Sequence, residues 1–366
     1  MKRIAVAGAA GFVGVRFVEY GILSGEVDVV PIIRSLKSAA RLARFGRCWS
    51  RADASDSQAL SAAISGCDAV VNLALGEFDA MSSTALSVWD ACAAARVPLL
   101  IHLSSAEVFG RAEDATLTDD SPPLQKHWME YARSKAAAET ALRERFGDSR
   151  VACIILRPGL IWGPRSPWVA GPAAELAAGS AFLLDEGKGI CNLIYLDNLM
   201  HSILGVVDAG PIQSGCYNVS DDETMTWAGY YRALASEMGV EFSSIHQLPP
   251  CKFPSGLGDR LEGLRSTTLG KRLKRGLSKE AKQKIKRILL LLRQSGPSAG
   301  PAPPGQPHVA RSDWHLQNTR HKLPTAKFAG AFGHLNRFTF EDAMNLTGQW
   351  LSFAGYANPW SAGAPL

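Results

Sequence analysis

The chain has 366 residues, of which 46% are hydrophobic and 20% are charged. This size and composition are typical of a globular protein with one large or two ordinary domains, and no apolar run approaches the length that spans a bilayer. Seven cysteines without a CxxC pair and eight histidines without ligand spacing favour a reducing compartment and argue against a structural zinc site. We therefore expect a cytoplasmic protein that binds no metal.

The net charge of +5 is concentrated in one segment of the chain. Residues 256–296 contain twelve Lys or Arg and three Asp or Glu, a net charge of +9 that leaves −4 for the remainder. The body of the chain is therefore mildly acidic, which argues against nucleic acid as a partner.

The chain begins with an apolar stretch, residues 2–7, followed by GAAGFVG at residues 8–14. A charged start before apolar residues also fits a secretory signal peptide, but a strand, a tight turn and a helix from about residue 11 use every residue. In that interpretation Gly8 permits the turn, Gly11 lets the backbone approach a pyrophosphate, and Gly14 lets helix and strand pack closely. The motif predicts dinucleotide binding, with a glycine-rich turn that binds no ligand as the alternative.

Apolar runs alternate with helical patterns through the first half of the chain. Strands are predicted at residues 2–7, 27–33, 69–74, 99–103 and 151–156, and helices between them at 55–65, 82–95 and 130–146. This alternation predicts an α/β fold with a Rossmann-type doubly wound parallel sheet covered by helices on both faces. Ligands of such sheets bind at the carboxyl ends of the strands.

After residue 165 the pattern loosens into mixed helices and short strands. Helices are predicted around residues 173–178, 196–207, 227–238 and 338–353, and short strands of the second lobe at 191–195 and 216–219. We assign residues 1–165 to a nucleotide-binding Rossmann domain and residues 166–366 to a smaller C-terminal substrate lobe of mixed α/β structure. This lobe is expected to interleave with the Rossmann core and to carry a basic insertion at about 256–310.

Two side chains bear on the identity of the dinucleotide. Arg34 follows the second strand, where an acidic residue would accept hydrogen bonds from the adenosine ribose and a cation accommodates a 2′-phosphate. Arg34 therefore favours NADP, and NAD stays an alternative because other groups can hold either cofactor. Asp53 is a candidate to accept from the adenine amine or, alternatively, to cap the helix that follows.

A serine and a YxxxK motif carry the predicted chemistry. Ser105 follows the fourth strand, and Tyr131 and Lys135 share one face of the next helix because they are four residues apart. A phenol titrates near pH ~10, and a neighbouring ammonium favours the phenolate, which suits proton transfer near neutrality. YxxxK alone occurs often by chance, but its position after GxxGxxG and a strand-end serine indicates a specific site.

Five motifs follow one another along the chain: GAAGFVG (8–14), CDAVVNLA (67–74), LSSAEVFG (103–110), YARSK (131–135) and ILRPGLIWGP (155–164). They resemble the motifs of the extended short-chain dehydrogenases/reductases, the NAD(P)-dependent epimerase/dehydratase family, over the chain apart from about residues 250–312. The resemblance implies that Ser105 polarises the substrate oxygen, Tyr131 is the acid/base, and Lys135 holds the ribose and lowers the tyrosine pKa. The cofactor-binding residues that it implies are Gly8, Gly11, Phe12, Val13, Gly14, Arg34, Asp53, Leu73, Ala74, Lys135 and Pro158.

The resemblance also implies an NAD(P)-dependent oxidoreductase or epimerase that moves hydride at a carbinol or carbonyl carbon of a sugar or nucleotide sugar. Two departures bear on the substrate: Cys191-Asn192 stands where nucleotide-sugar epimerases have a diphosphate-binding arginine, and Ala106 precedes Glu107 where dehydratases have an aspartate. The alternatives are an NADPH-dependent carbonyl reductase with a non-sugar substrate and a non-catalytic nucleotide-sensing protein. Candidate substrate contacts are Glu107, Arg165, Lys188 and Asn192.

The sequence also bears on two contacts with larger partners, one with a second copy of the chain and one with a membrane surface. The family resemblance implies a homodimer through a four-helix contact that uses the Tyr131 helix. In the basic segment, residues 277–293 show an apolar stripe at helical spacing with Lys and Arg on the remaining face. Such a helix either docks on the second lobe with a solvated basic face or makes a peripheral contact with an anionic membrane surface.

Overall fold

The computed structural model describes residues 1–46, 49–110, 117–209, 213–250, 307, 309–334 and 336–356. Its strands are β1 (Lys2–Ala7), β2 (Val27–Ile33), β3 (Ser50–Arg51), β4 (Ala69–Asn72), β5 (Leu99–Leu103), β6 (Ala152–Pro158), β7 (Leu160–Trp162), β8 (Phe182–Leu184), β9 (Leu193–Tyr195), β10 (Gly215–Val219) and β11 (His246–Leu248). Its helices are α1 (Phe12–Ser24), α2 (Leu36–Ala39), α3 (Ser57–Ala63), α4 (Met81–Ala95), α5 (Glu130–Arg143), α6 (Pro167–Ala177), α7 (Leu196–Asp208), α8 (Trp227–Met238), α9 (Arg311–Gln317), α10 (Ala326–Phe332) and α11 (Phe340–Phe353).

Seven parallel strands form the central sheet of the described chain, in the order β3-β2-β1-β4-β5-β6-β10. This order confirms the predicted Rossmann-type doubly wound sheet. The strand order reverses between β1 and β4, so the carboxyl ends of these two strands flank a crevice. In open α/β sheets, ligands bind at such a reversal point.

Residues of the central strands alternate between two apolar cores. Ile4 and Val6 face the core that α1 and α7 cover, whereas Ala5 between them faces the core that α3, α4 and α5 cover. In β5, Ile101 faces the first of these cores and Leu100 faces the second. Because both faces of the sheet are buried, its strands appear in the sequence as continuous hydrophobic runs rather than alternating ones.

One strand lies elsewhere than predicted. The segment at 216–219, expected in the second lobe, is β10, which pairs in parallel with β6 at the edge of the central sheet. Helix α7, also beyond residue 165, adds Leu199 and Ile203 to the core beside α1. The sequence pattern predicts both elements but not their place, because it does not show which sheet edge or face they cover.

The second lobe has a separate core of large aromatic side chains. The pairs β7–β9 and β8–β11 lie with α6, α8 and α11 around Trp162, Tyr195, Trp227 and Tyr230. Trp162 Nε1 donates to Asp221 Oδ2 at 3.0 Å, and the Tyr195 backbone N–H donates to both oxygens of the same carboxylate. Because Asp221 follows β10, these hydrogen bonds tie the second lobe to the central sheet.

Candidate active site

The glycine-rich loop after β1 is shaped for close approach of backbones. Gly8 has φ of +84°, and a Cβ at this residue would lie 2.8 Å from the backbone nitrogen of Ala74 in the loop after β4. A Cβ at Gly14 would collide with the carbonyl oxygen of Gly8. The N–H of Gly11 donates to that same carbonyl at 2.9 Å and closes the turn. A side chain at Gly8 or Gly14 would therefore displace the backbone.

The amino end of α1 fits the pyrophosphate of a dinucleotide. Helix α1 has Gly11 as its N-cap, without a side-chain cap and without an acidic residue in its first turn. The first N–H groups of a helix, here those of Phe12, Val13 and Gly14, have no partner within the helix, and the dipole is positive at this end. Bare backbone donors beside a glycine loop suit an anionic phosphate. The residues present therefore fit NAD(P) across the crevice between β1 and β4.

Asp53 and Arg34 lie together at the ends of β3 and β2. The pKa of the Asp53 carboxyl is lowered, chiefly by the hydrogen bond from the Ser55 backbone N–H, and the charge of Arg34 lowers it further. Asp56 is the N-cap of α3 and accepts the backbone N–H groups of that helix, so the capping alternative for Asp53 is wrong. Arg34 itself is exposed.

A second cation lies beside the glycine loop, although no sequence motif marks its position. Arg41 follows α2, and its Nη1 donates to the carbonyl oxygen of Ala10 at 3.0 Å. This side chain is exposed beyond that contact. Arg34 and Arg41 thus place two guanidinium groups on the β2 side of the crevice, where the adenosine ribose binds in this fold.

The ends of β4 and β6 complete the crevice. The N–H of Leu73 donates to the carbonyl of Ala7 at 2.9 Å, and the N–H of Ala74 donates to Asn72 Oδ1 at 3.2 Å. The loop after β4 is therefore held against the glycine loop. Pro158 is the buried last residue of β6, two strands away from β4 in the sheet.

Ser105 and Tyr131 meet at the carboxyl end of β5. The Ser105 hydroxyl lies close enough to the Tyr131 phenol to lower its pKa, and it accepts the backbone N–H of Glu107 at 3.2 Å. Tyr131 lies in the first turn of α5, and the ring of Phe78 packs edge-on against it with centroids 6.1 Å apart. A phenol and a serine hydroxyl this close together can both contact one oxygen of a substrate.

Lys135 lies one turn further along α5, and its Nζ donates to the carbonyl oxygen of Leu103 at 2.7 Å. Burial lowers the pKa of Lys135 to about 8. The structure differs from the expectation that this ammonium lowers the pKa of Tyr131. Burial raises the pKa of Tyr131, the neighbouring Ser105 hydroxyl opposes that rise, and the charge of Glu107 adds to it. The Lys135 ammonium is engaged by the end of β5 rather than by the phenol.

A buried cluster of Glu107, His127 and His315 lies beside Tyr131. The Nε2 atoms of His315 and His127 lie 2.6 Å and 3.4 Å from Glu107 Oε1. The histidine side chains are 6% and 3% exposed. Sequence analysis missed this cluster because its members come from the turn after β5, the loop before α5 and helix α9 beyond the basic segment. No spacing within one element connects them.

Glu107 is the predicted substrate residue that adjoins the catalytic pair. Asn192 is held within the second lobe, since its Nδ2 donates to the carbonyl of His321 at 3.1 Å and its Oδ1 accepts the N–H of Leu323 at 2.8 Å. These two hydrogen bonds engage both polar atoms of the side-chain amide that the sequence suggested as a substrate contact.

The two predicted cations lie in the second lobe with different surroundings. Lys188 is exposed and forms an ion pair with Glu186 at 2.9 Å, and the hydrogen bond to Glu186 raises its pKa. Arg165 follows β7 with φ of +69° and is exposed, with no side-chain partner among the residues that the structure describes. Arg165 is therefore the more available of the two for an anionic group.

The basic insertion is the segment for which the sequence suggests membrane contact. Among the described residues, no helix combines the length and the apolar character needed to cross a membrane. The predicted stripe at 277–293, and the insertion at 256–310 except for residues 307, 309 and 310, lie outside the described residues.

Known proteins similar to this chain include two curated enzymes of low identity. Sterol-4-alpha-carboxylate 3-dehydrogenase (decarboxylating) of Dictyostelium discoideum is 24% identical over 268 residues, which cover 68% of this chain and 80% of that enzyme. The 2-alkyl-3-oxoalkanoate reductase of Shewanella oneidensis is 28% identical over 245 residues, which cover 61% of this chain and 62% of the reductase. At 24% and 28% identity, these names describe relatives of the chain and not the chain itself.

Solved structures share the fold. The crystal structure of dTDP-glucose 4,6-dehydratase from Bacillus anthracis in complex with NAD matches with a TM-score of 0.68 and 15% identity, covering 98% of this chain and 99% of the dehydratase. A sequence profile of the NAD dependent epimerase/dehydratase family matches residues 4–209, more than half of the chain, and this span contains the glycine loop, Ser105, Tyr131 and Lys135. The family resemblance of the sequence motifs is thereby confirmed. The chain belongs to the NAD-dependent epimerase/dehydratase family of enzymes.

Proposed function

We propose that the chain is an NAD(P)-dependent oxidoreductase that moves hydride at a carbinol or carbonyl carbon, with Ser105, Tyr131 and Lys135 as its catalytic residues. The observation that carries this proposal is the proximity of Ser105, at the carboxyl end of β5, to Tyr131 in the first turn of α5, with Lys135 one helical turn away. Strand β5 neighbours β4, whose following loop adjoins the glycine loop. The intact trio argues against the alternative of a non-catalytic nucleotide sensor.

Each member of the trio has its own task. A bound nicotinamide supplies or takes up the hydride. Ser105 donates a hydrogen bond to the substrate oxygen, and Tyr131 gives its phenolic proton to that oxygen in reduction or removes the proton in oxidation. Because burial keeps Tyr131 protonated near neutrality, the resting site is prepared for reduction. Lys135 would hold the nicotinamide ribose while its anchor on Leu103 keeps its orientation.

We propose NADP(H) as the preferred form of the cofactor. Arg34 at the end of β2 and Arg41 at the glycine loop are both exposed toward solvent, and neither forms an ion pair among the described residues. A 2′-phosphate would gain charge-assisted hydrogen bonds from guanidinium groups in this region.

The polar and cationic side chains of the second lobe bear on the class of substrate. A sugar nucleotide, the first substrate class that the sequence suggests, needs cationic or amide groups for its diphosphate. Asn192 is engaged by backbone groups and Lys188 by Glu186, which leaves Arg165 from the predicted set. A carbonyl reductase with a non-sugar substrate, the alternative from the sequence, needs no diphosphate site.

Apolar side chains near Tyr131 favour this alternative. Phe78, edge-on to the Tyr131 ring, is 39% exposed, and Leu75 in the same loop is 50% exposed. A sterol carboxylate and a 2-alkyl-3-oxoalkanoate, the compounds in the names of the two curated relatives, both have large apolar parts. We therefore place a carbonyl or carbinol attached to an alkyl or polycyclic group ahead of a nucleotide sugar.

The test compares two panels of compounds with NADPH and NADH. One panel contains alkyl 3-oxo acids and ketosteroids, and the other contains UDP- and dTDP-linked sugars, with products identified by mass spectrometry. We expect reduction in the first panel, preferentially with NADPH, and its loss in Tyr131→Phe. Conversion of the linked sugars alone would favour the sugar assignment, and NADPH binding without conversion in either panel would favour a nucleotide sensor.

Two partner proposals rest on the sequence alone. We propose a homodimer through the Tyr131 helix, for which light scattering of the purified chain is the test. We also propose a peripheral contact of residues 277–293 with anionic lipid, tested by co-sedimentation with phosphatidylglycerol vesicles with and without residues 256–296. Binding that falls with salt supports the contact, and absence of binding at low salt contradicts it.

A further inference from the structure

The cluster of Glu107, His127 and His315 joins both lobes at the Ser105–Tyr131 pair. Glu107 lies in the turn that Ser105 begins, His127 lies just before the helix that carries Tyr131, and His315 comes from α9 of the second lobe. The imidazole rings of the two histidines meet edge-on with centroids 5.3 Å apart. The Glu107 carboxylate is thus packed between imidazoles from both lobes.

The hydrogen bonding of His127 determines which of its nitrogens carries the proton. The Met129 backbone N–H donates to His127 Nδ1 at 3.0 Å, so Nδ1 is an acceptor and bears no hydrogen. The neutral ring therefore carries its hydrogen on Nε2, the atom that lies 3.4 Å from Glu107 Oε1. Burial lowers the pKa of His127, which favours this neutral form. His127 thus places an N–H group beside the carboxylate, without an aligned hydrogen bond to it among the described residues.

The same reasoning decides against a metal ion. A glutamate and two histidines whose ligand-type atoms all lie within 4.8 Å of one another have the composition of a cation site. A metal on His127 Nε2 would require the hydrogen on Nδ1, where it would face the Met129 N–H instead of an acceptor. Metal-bound histidines almost always donate from their second nitrogen. The local backbone therefore opposes a cation here.

We propose that His127 and His315 are positioning residues of the hydride-transfer site, which hold the Glu107 carboxylate in place beside Ser105 and Tyr131. This inference rests on the proposed function and extends it, because His315 makes the second lobe part of the reaction centre. Docking of α9 would then complete the electrostatic environment of the catalytic pair.

The consequence concerns the protonation of Tyr131. A carboxylate near a phenol disfavours the phenolate, so a charged Glu107 keeps Tyr131 in the form that protonates a carbonyl oxygen. The groups that face this cluster are His127 from the loop before α5, Tyr131 from α5, His315 from α9, and Arg133, whose charge acts on His127. The cluster therefore helps to keep on Tyr131 the proton that a reduction would transfer to the carbonyl oxygen.

The experiment is a pH titration of Tyr131 in the full chain saturated with NADP⁺. The ultraviolet absorbance of tyrosinate is recorded for each protein and for the same protein with Tyr131→Phe, and the difference isolates this one phenol. Glu107→Gln is expected to lower the midpoint by roughly one pH unit, since it removes a nearby negative charge. His315→Leu should lower it in the same direction, and His315→Gln, which keeps an N–H donor, should restore the parent midpoint.

A matched control and two opposing outcomes complete the design. His246→Gln changes a histidine whose Nε2 contacts the Gly179 carbonyl far along the chain, and it should leave the midpoint unchanged. An unchanged midpoint in Glu107→Gln, in protein with parent-like circular dichroism, would overturn the proposal. Stoichiometric zinc that is lost in His315→Leu would also overturn it, in favour of a cation site. The titration requires no substrate, so its failure is distinguishable from a failure to find hydride transfer.

Discussion

Two neighbouring serines at the end of β5 belong to two different kinds of polar cluster. The Ser104 hydroxyl donates to Glu139 Oε1 at 2.5 Å, and Arg157 Nη2 lies 2.6 Å from Glu139 Oε2, with both charged side chains 0% exposed. Arg157 Nη1 also donates to the Asp119 carbonyl at 2.7 Å. Ser105, one residue later, instead lies close to Tyr131 in the first turn of helix α5, which also carries Glu139.

The difference lies in how completely the polar atoms are paired. In the Ser104 cluster the carboxylate and guanidinium match each other, which is the arrangement of a structural ion pair. Around Ser105, the described residues leave Glu107 Oε1 and His127 Nε2 buried without a well-aligned hydrogen bond, and Lys135 has its pKa lowered to about 8. Incomplete pairing and a shifted pKa in a cleft are typical of a functional site. Helix α5 thus stabilises the fold through Glu139 and serves chemistry through Tyr131.

The largest expected effect comes from Tyr131→Phe. Turnover of the accepted carbonyl compound should fall by about 10²–10⁴-fold, because the proton donor is removed while the ring still packs against Phe78. NADPH affinity should stay within about twofold, since the phenol is not an anchor of the pyrophosphate. Single-turnover oxidation of bound NADPH, together with fluorescence titration, measures the two quantities. Retention of most of the rate would contradict the acid/base role.

On the structural side of the helix, Glu139→Gln should cost about 3–5 kcal/mol of unfolding free energy, because it leaves the buried Arg157 guanidinium without a countercharge. The double variant Glu139→Gln with Arg157→Gln should recover part of this loss. Urea unfolding of the parent, both single variants and the double variant gives the coupling. Strict additivity of the two single changes would show that the pair is not coupled.

Lys135→Met should separate stability from activity. Turnover and NADPH affinity should both fall, whereas the unfolding free energy at pH 7 should rise by about 2 kcal/mol, because a buried charge whose pKa falls from 10.5 to about 8 opposes folding by more than its one hydrogen bond returns.

The pH dependence of this gain has a definite sign. Between pH 8 and 10.5 the unfolded chain keeps the Lys135 proton and the folded chain does not, so the parent gains stability from this group as pH rises. The advantage of Lys135→Met should therefore shrink across that window. Chemical denaturation at pH 7 and pH 9 tests it, and an advantage that grows with pH would contradict the assignment.

The smallest effect concerns cofactor choice. Arg34→Asp should weaken NADPH binding about tenfold and change NADH binding little or improve it, because a carboxylate repels a 2′-phosphate and can accept from ribose hydroxyls. Arg41→Asp provides a comparison at the second cation beside the glycine loop. Fluorescence titration with both nucleotides is the measurement. Equal affinities of the parent chain for NADPH and NADH would remove the basis for the NADP preference.

Features that depend on spacing within one element could be predicted from the sequence. The glycine loop needs bare backbone at Gly8 and Gly14, and the pair of Tyr131 and Lys135 needs four residues on one helix, so both were available from local patterns. The buried strands were predictable for the same reason, because burial on both faces leaves continuous apolar runs.

Features that depend on packing between distant segments could not be predicted. His315 reaches Glu107 only because α9 docks against the turn after β5. The side-chain amide of Asn192 is not available to a substrate as predicted, because it is hydrogen-bonded to the backbone of His321 and Leu323. The hydrogen-bond partner of Lys135 could not be predicted either, because the Leu103 carbonyl lies on another element of the fold. Side-chain type and spacing do not encode these contacts.

The central claim is that Ser105, Tyr131 and Lys135 carry out hydride-coupled proton transfer with a nicotinamide cofactor. The most direct test supplies NADPH with deuterium on C4, in each of its two stereochemical forms, to the parent chain together with the accepted carbonyl compound. We predict that one of the two forms places a single deuterium on the carbinol carbon of the product, and that Tyr131→Phe with bound NADPH yields almost none. Product without deuterium from either form, or equal labelling by Tyr131→Phe, would contradict the account.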